Sequence, residues 1–190
     1  MILRLRAWAL WLPILILSGC ATVPEPQALR PGEIERSGRF ALLVQDPQTS
    51  DQSLQGRFFW QDTQQGLTLD LSSSLGITLA RIEVQPHQSV LIVPGEEPVV
   101  ADTADDLLIK VFAEPIPIHA LRDWMQGRLS TTLRTSEVKR DTDLRLTSFK
   151  AGDWQIDLSR YDEQGPTFLS LSQQAGARVV SLKLIVDAQP

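Results

Sequence analysis

The feature that most constrains this chain is an apolar/polar alternation with a period of two, which recurs along most of its length. The segment "GLTLDLS" (66–72) puts Leu67, Leu69 and Leu71 on one face and Thr68 and Asp70 on the other. Two is the side-chain period of an extended strand, so this segment reads as a strand with one wet face. In "DWQIDLSRY" (153–161), Trp154, Ile156 and Leu158 alternate with Gln155 and Asp157; in "RVVSLKLIVD" (178–187), Val180, Leu182, Leu184 and Val186 share a face. Further β-rich runs occupy 39–45, 54–62, 76–84, 89–95, 143–149 and 167–173, with a short "EPVVA" at 97–101. The connections are short and rich in Gly, Gln, Asp and Pro. None is a long crossover, so the strands pair antiparallel in a meander.

Two segments break the alternation. "TADDLLIKVF" (103–112) reads as a helix with Thr103 as N-cap and Asp105 and Asp106 in the first turn, where the helix dipole favours acids. Leu107, Leu108, Val111 and Phe112 share its apolar face. "EPIPIHALRDWMQGR" (114–128) reads as a second short helix, with Pro117 in its first turn, Gly127 just past its end, and an apolar stripe of Ile118, Leu121, Trp124 and Met125. The chain is therefore mainly β, a curved antiparallel sheet with a mid-chain helix pair across its apolar face. Periodicity does not separate a packed core from a cavity beneath those helices. The residues taken alone favour the packed core. The same two readings hold for Trp60, Trp124 and Trp154: core packing, or the wall of an apolar pocket.

Composition removes several function classes. The net charge is −5 over 190 residues, with no Lys/Arg cluster to follow a phosphate backbone, so no nucleic-acid partner is expected. The only histidines, His87 and His119, lie far apart in sequence, and no metal-ligand cluster is visible. Neither a nucleophile elbow nor a Gly-rich phosphate loop is present. His119 precedes Asp123 by one helical turn, the spacing of an oriented base, but a surface histidine beside a surface aspartate is the simpler reading. The chain reads as no enzyme and as needing no cofactor.

The first twenty residues, "MILRLRAWALWLPILILSGC", have the layout of a secretory signal: basic Arg4 and Arg6, an apolar run from Ala7 to Leu17, then small residues. The apolar run is short for a membrane-spanning helix. Its end, Leu17-Ser18-Gly19-Cys20, resembles the lipobox of bacterial lipoproteins. That resemblance implies cleavage before Cys20, an S-diacylglycerol on its thiol and an N-acyl group on its freed amine. Cys20 is the sole cysteine in the chain. Ala21 and Thr22 follow it rather than the aspartate that favours inner-membrane retention, which points to the outer membrane. Residues 1–19 are then the signal peptide, 20–38 the lipidated N-terminus and tether, and 39–190 the folded domain.

One loop stands out. In "LSSSLGIT" (71–78), Leu75 sits among serines and a glycine, turn residues that face water. Either it folds back over the hairpin end or it is exposed for a reason.

With these residues in place, nearly the whole chain resembles the LolB family of outer-membrane lipoprotein receptors. The resemblance rests on the lipobox, on "GRFFWQ" (56–61), on "LDLSSSLGITLARIEV" (69–84) and above all on "ADTADDLLIKVFAEPIPIHALRDWMQGR" (101–128). Ser74 and Leu129 stand where family members often have proline, departures that affect loop stiffness. The family implies an incomplete, unclosed antiparallel β-barrel of about ten to eleven strands, with the helix pair as a lid over a hydrophobic cavity. The cavity takes the acyl chains of lipoproteins from a soluble periplasmic carrier, LolA-like, and the monomeric receptor releases them into the outer membrane without nucleotide hydrolysis. On this reading Phe58, Trp60, Leu69, Leu71, Leu107, Val111, Leu121, Trp124 and Trp154 line the cavity. Leu75 protrudes and helps pass the client into the membrane. The competing readings are another envelope lipid-binding lipoprotein and a structural outer-membrane scaffold.

Overall fold

A computed structural model describes residue 30, residues 32–112 and residues 116–188; the signal, Cys20 and most of the tether lie outside the described residues. The elements, in chain order, are β1 (Ile34–Gln45), β2 (Gln52–Thr63), β3 (Gly66–Ser72), β4 (Thr78–Gln85), β5 (Gln88–Ile92), β6 (Val99–Ala101), α1 (Ala104–Phe112), α2 (Ile118–Trp124), β7 (Thr135–Arg140), β8 (Leu146–Ala151), β9 (Trp154–Tyr161), β10 (Pro166–Ala175) and β11 (Arg178–Val186). The eleven strands form one sheet in the order β6-β5-β4-β3-β2-β1-β11-β10-β9-β8-β7. Every neighbouring pair is antiparallel.

That order places both ends of the domain in mid-sheet, where β1 pairs with β11, Phe40 opposite Leu184 and Leu42 opposite Leu182. The edges, β6 and β7, do not pair with each other, so the barrel stays open. The helices sit in the chain between these two edges. Alternation drives each strand's orientation: in β1, Ile34, Arg36, Gly38, Phe40, Leu42 and Val44 point inward and are buried. Gly38 is required there, because a Cβ would lie 2.1 Å from the Ile185 carbonyl oxygen, where β11 comes close.

The helices form for the reasons the sequence gives. Thr103 Oγ1 accepts the Asp106 N–H (3.1 Å), capping α1, and Ala104, Leu107 and Leu108 are buried beneath it. Each such leucine contributes about 1.5–3 kcal/mol relative to exposure. Helix α2 begins after Pro117 with no cap from its own residues. The Asp105 carboxylate of α1 fills the role, accepting the Ile118 N–H at 2.9 Å. The segment after α2 turns at Gly127 in the left-handed region, φ +67°.

Several elements differ from the sequence reading, among them the second helix, which spans Ile118–Trp124 within the 114–128 segment. Strand β1 begins at Ile34, inside the stretch read as tether, because Arg36 is an inward residue: 1% exposed, its Nη2 donates to Asp162 Oδ2 and to the Pro166 carbonyl, each at 3.1 Å. Burial pulls its guanidinium below the usual value, and the Asp162 charge opposes that. Strand β7 has no counterpart in that reading, since "TSEVKR" is exposed along nearly its whole length and carries register shifts against β8. Residues 143–145, read as the start of a strand, belong to a turn in which Asp141 Oδ1 accepts the Asp143 and Arg145 N–H groups, both at 2.9 Å.

Candidate functional site

A cavity of about 560 Å³, counting the part open to solvent, lies between the concave face of the sheet and the helices. Its floor is built by register. Trp60, Leu69 and Ile82 face each other across β2, β3 and β4, and Phe58 lies opposite Leu71. Leu42 lies opposite Leu54, and Phe40, Leu182 and Leu184 complete the wall from β1 and β11. The roof is Leu108 of α1 and Ile116, Ile118 and Leu121 of the second helical segment. Every lining side chain is apolar. All are buried except Leu54 and Leu71, which are half-exposed. Leu54 follows the β1–β2 loop and Leu71 precedes the β3–β4 loop, so the cavity reaches the surface at that end of the sheet.

Of the proposed lining residues, the structure brings Phe58, Trp60, Leu69, Leu71 and Leu121 together around this cavity. It does not bring in three others. Leu107 is fully buried, but its neighbour Leu108, about 100° around the helix, is the one that faces the cavity. Trp124, also fully buried, packs edge-on to Phe149 of β8, with ring centroids 5.8 Å apart. Trp154, 4% exposed, sits on β9 opposite Gln173 and Ala151. These tryptophans fill the core on the β8–β9 side, where no lining residue is found. Val111 is helical in its backbone, but its side chain lies outside the described residues. Phe40, Leu42, Leu54, Ile82, Leu182 and Leu184 were missed, although each shares the inward phase of its own strand. Ile116 and Ile118 carried a signal too, as the apolar residues of the Pro-x-Pro segment.

The roof is tied down by polar contacts at its margins. Arg122 of α2 donates two hydrogen bonds to Asp62 of β2, Nε to Oδ2 at 2.8 Å and Nη2 to Oδ1. Asp62 is 6% exposed, and its bond holds the Arg122 guanidinium above the usual value. Lys110 Nζ of α1 donates to the Val100 carbonyl of edge strand β6 at 2.9 Å. Burial raises the Asp105 carboxyl above the usual carboxylate range, opposed by His119 and by the backbone N–H groups it accepts. His119 is half-buried, and its charge acts on Asp105, whereas Asp123 pairs with Arg128 at 3.2 Å. Among the described residues, no group of three or more His, Cys, Asp or Glu is placed to hold a metal ion.

Leu75 stands at the rim. It is 87% exposed, and Ile77 beside it is 65% exposed. The loop is a closed turn: the Ser73 N–H donates to the Ile77 carbonyl (2.8 Å), and the Gly76 N–H donates to that of Ser73 (3.0 Å). Ser73 Oγ accepts the Ile77 N–H at 3.2 Å. Gly76 has φ +82°, which lets the chain reverse without pulling the leucine inward. Of the two readings for Leu75, the geometry is the exposed one. Ile77 was missed because it reads as part of "GITLARIEV", whereas β4 begins at Thr78.

The family described as "Outer membrane lipoprotein LolB" matches residues 33–188. The chain is 36% identical to the outer-membrane lipoprotein LolB of Bordetella petrii over 185 residues, 97% of this chain and 93% of that protein. It is 37% identical to the Bordetella pertussis protein of the same name, covering 96% and 92%. The relative in Cupriavidus pinatubonensis is 30% identical, covering 98% and 95%. Among solved structures, a LolA superfamily protein from Nitrosomonas europaea aligns over 82% of this chain and 86% of that one, with TM-score 0.42 and 7% identity. The chain belongs to the outer-membrane lipoprotein LolB family.

Proposed function

We propose that the apolar cavity receives the acyl chains of lipoproteins from a soluble periplasmic carrier, and that the Leu75 loop leads them into the outer membrane. As a member of the LolB family, the protein is an outer-membrane lipoprotein receptor of the lipoprotein-localisation system and not an enzyme. The observation that carries the finer reading is the cavity itself: a wholly apolar lining, roofed by the helices and reaching the surface beside a loop that exposes two large aliphatic side chains, Leu75 and Ile77. Lipidation at Cys20 supplies the anchor on this reading. A triacylated protein in water exposes tens of CH₂ groups at about 0.8 kcal/mol each, so a carrier must hide them and a receptor must bind them more favourably. Differences in affinity suffice for such a handover, without nucleotide hydrolysis.

The size of the cavity adds a condition. An apolar cavity of about 150 Å³ holds benzene, roughly 25 Å³ per carbon, so a sixteen-carbon chain needs on the order of 400 Å³ and three need about 1,200 Å³. The comparable enclosed space here is about 70 Å³, less than a single chain needs, so loading requires the roof to move outward. The test is binding of a fluorescent fatty-acid probe, displaced by a triacylated lipoprotein, together with depletion of the protein in cells. Probe displacement and build-up of other lipoproteins on the soluble carrier support the proposal. A protein that excludes the probe, or normal lipoprotein sorting after depletion, overturns it.

A further inference from the structure

Of the five hairpin turns that leave the sheet at the end where Leu75 stands, among the described residues, three are the Leu75 loop and the two beside it. These three are residues 46–51 between β1 and β2, 73–77 between β3 and β4, and 93–98 between β5 and β6. Their sequences are "DPQTSD", "SSLGI" and "VPGEEP". The central loop is uncharged and carries the exposed Leu75 and Ile77. The two flanking loops carry Asp46, Asp51, Glu96 and Glu97, and no Lys or Arg occurs in any of the three. With strands about 4.8 Å apart, each flanking loop lies about two strands, or 10 Å, from the Leu75 loop.

Of these carboxylates, Asp51, Glu96 and Glu97 are exposed and Asp46 is half-buried. None takes part in an ion pair among the described residues. Asp46 accepts only the Gln48 N–H and Asp51 only the Gln45 side-chain amide. On the strands adjoining the Leu75 loop, Arg57 and Arg81 are each engaged, with Asp187 at 3.1 Å and Asp70 at 2.5 Å. The Leu75 loop is thus an apolar tip between two acidic shoulders.

We propose that these four carboxylates make the membrane contact selective for lipid surfaces of low negative charge. They are not a binding site. They act through repulsion, because the shoulders come within about one Debye length of any surface that Leu75 enters. An anionic leaflet attracts basic segments and repels acidic ones by the same field. A zwitterionic leaflet leaves the leucine free to insert. The proposal rests on the reading of Leu75 as the membrane tip and adds the chemistry of the surface it prefers.

The test uses protein loaded with a fluorescent triacylated lipopeptide and two kinds of vesicle, one of phosphatidylethanolamine and phosphatidylcholine, the other with a third of the lipid replaced by phosphatidylglycerol. At low salt, transfer into the anionic vesicles is expected to be about tenfold slower, and the gap should close at high salt. The variant Asp46→Asn/Asp51→Asn/Glu96→Gln/Glu97→Gln should transfer into both at the same rate. Equal or faster wild-type transfer into anionic vesicles overturns the proposal, as does a gap that persists in the neutralised variant. Leu75→Glu separates this from the underlying reading. If that variant transfers at the wild-type rate into zwitterionic vesicles, the Leu75 reading fails; if it does not, the charge comparison stands on its own.

Discussion

Replacing Asp62 by Asn should speed loading, because this residue fastens the roof to the sheet. Both Asp62 oxygens accept from Arg122, which ties α2 to β2 at the margin of the cavity. The substitution removes the charge and one acceptor at nearly constant shape. Breaking a buried pair costs about 3–5 kcal/mol and an exposed one less than about 1 kcal/mol. Asp62 is 9% exposed in its side chain and Arg122 34%, so after discounting for solvent the loss is about 1.5 kcal/mol. Since 1.36 kcal/mol is tenfold, the open form should become about ten times more populated. Stopped-flow uptake of a fluorescent fatty-acid probe should then be about tenfold faster, while the unfolding free energy falls by no more than the same 1.5 kcal/mol. Arg128→Gln serves as a control, because its pair with Asp123 lies within the helical segment and does not reach the sheet. A lower stability with unchanged uptake would refute the reasoning, since the ion pair would then hold the fold without gating the cavity.

Other outcomes follow from single contacts. Leu75→Glu should alter stability by no more than about 0.5 kcal/mol in urea, since the side chain is 87% exposed, yet slow release into vesicles tenfold or more. For Asp105, the raised carboxyl means that the folded chain keeps its proton to higher pH than the unfolded chain, so its stabilising contribution is present at acid pH and lost as pH rises toward the folded value. Asp105→Asn keeps the oxygen that accepts the Ile118 N–H, so urea midpoints across the acid range should show a smaller decline with pH than in wild type. Gly38→Ala should destabilise by about 3 kcal/mol, because the new Cβ meets the Ile185 carbonyl oxygen at 2.1 Å and forces β1 from β11. Asp162→Ala leaves the fully buried Arg36 side chain without its counter-charge and should cost about 3 kcal/mol in the same assay.

How far the sequence reveals this architecture depends on how each residue signals its environment. Leu67, Leu69 and Leu71 alternate with polar neighbours, and their strand lies where the alternation puts it. Arg36 is inward but charged. It reads as solvent-facing until Asp162, far along the chain, is brought to it. Strand β7 is an exposed edge, so it has no apolar face to alternate. Within the helices, amphipathicity selects the buried side but not which buried residue meets open space. Leu107 and Leu108 are both buried, and only the position of the sheet beneath decides that Leu108 lines the cavity. Trp124 and Trp154 show the same limit, as large aromatic residues that fill the core on one side while Trp60 faces the cavity on the other.

That contrast supplies the most direct test of the central claim, that acyl chains occupy this cavity. The described domain contains Trp60, Trp124 and Trp154. A variant with Trp60 alone (Trp124→Phe/Trp154→Phe) and one with Trp154 alone (Trp60→Phe/Trp124→Phe) should be loaded with a lipopeptide carrying brominated acyl chains, which quench indole fluorescence on contact. Strong quenching of Trp60 with little change at Trp154 is the predicted result. Quenching of neither, or of both alike, would contradict acyl occupancy of the cavity.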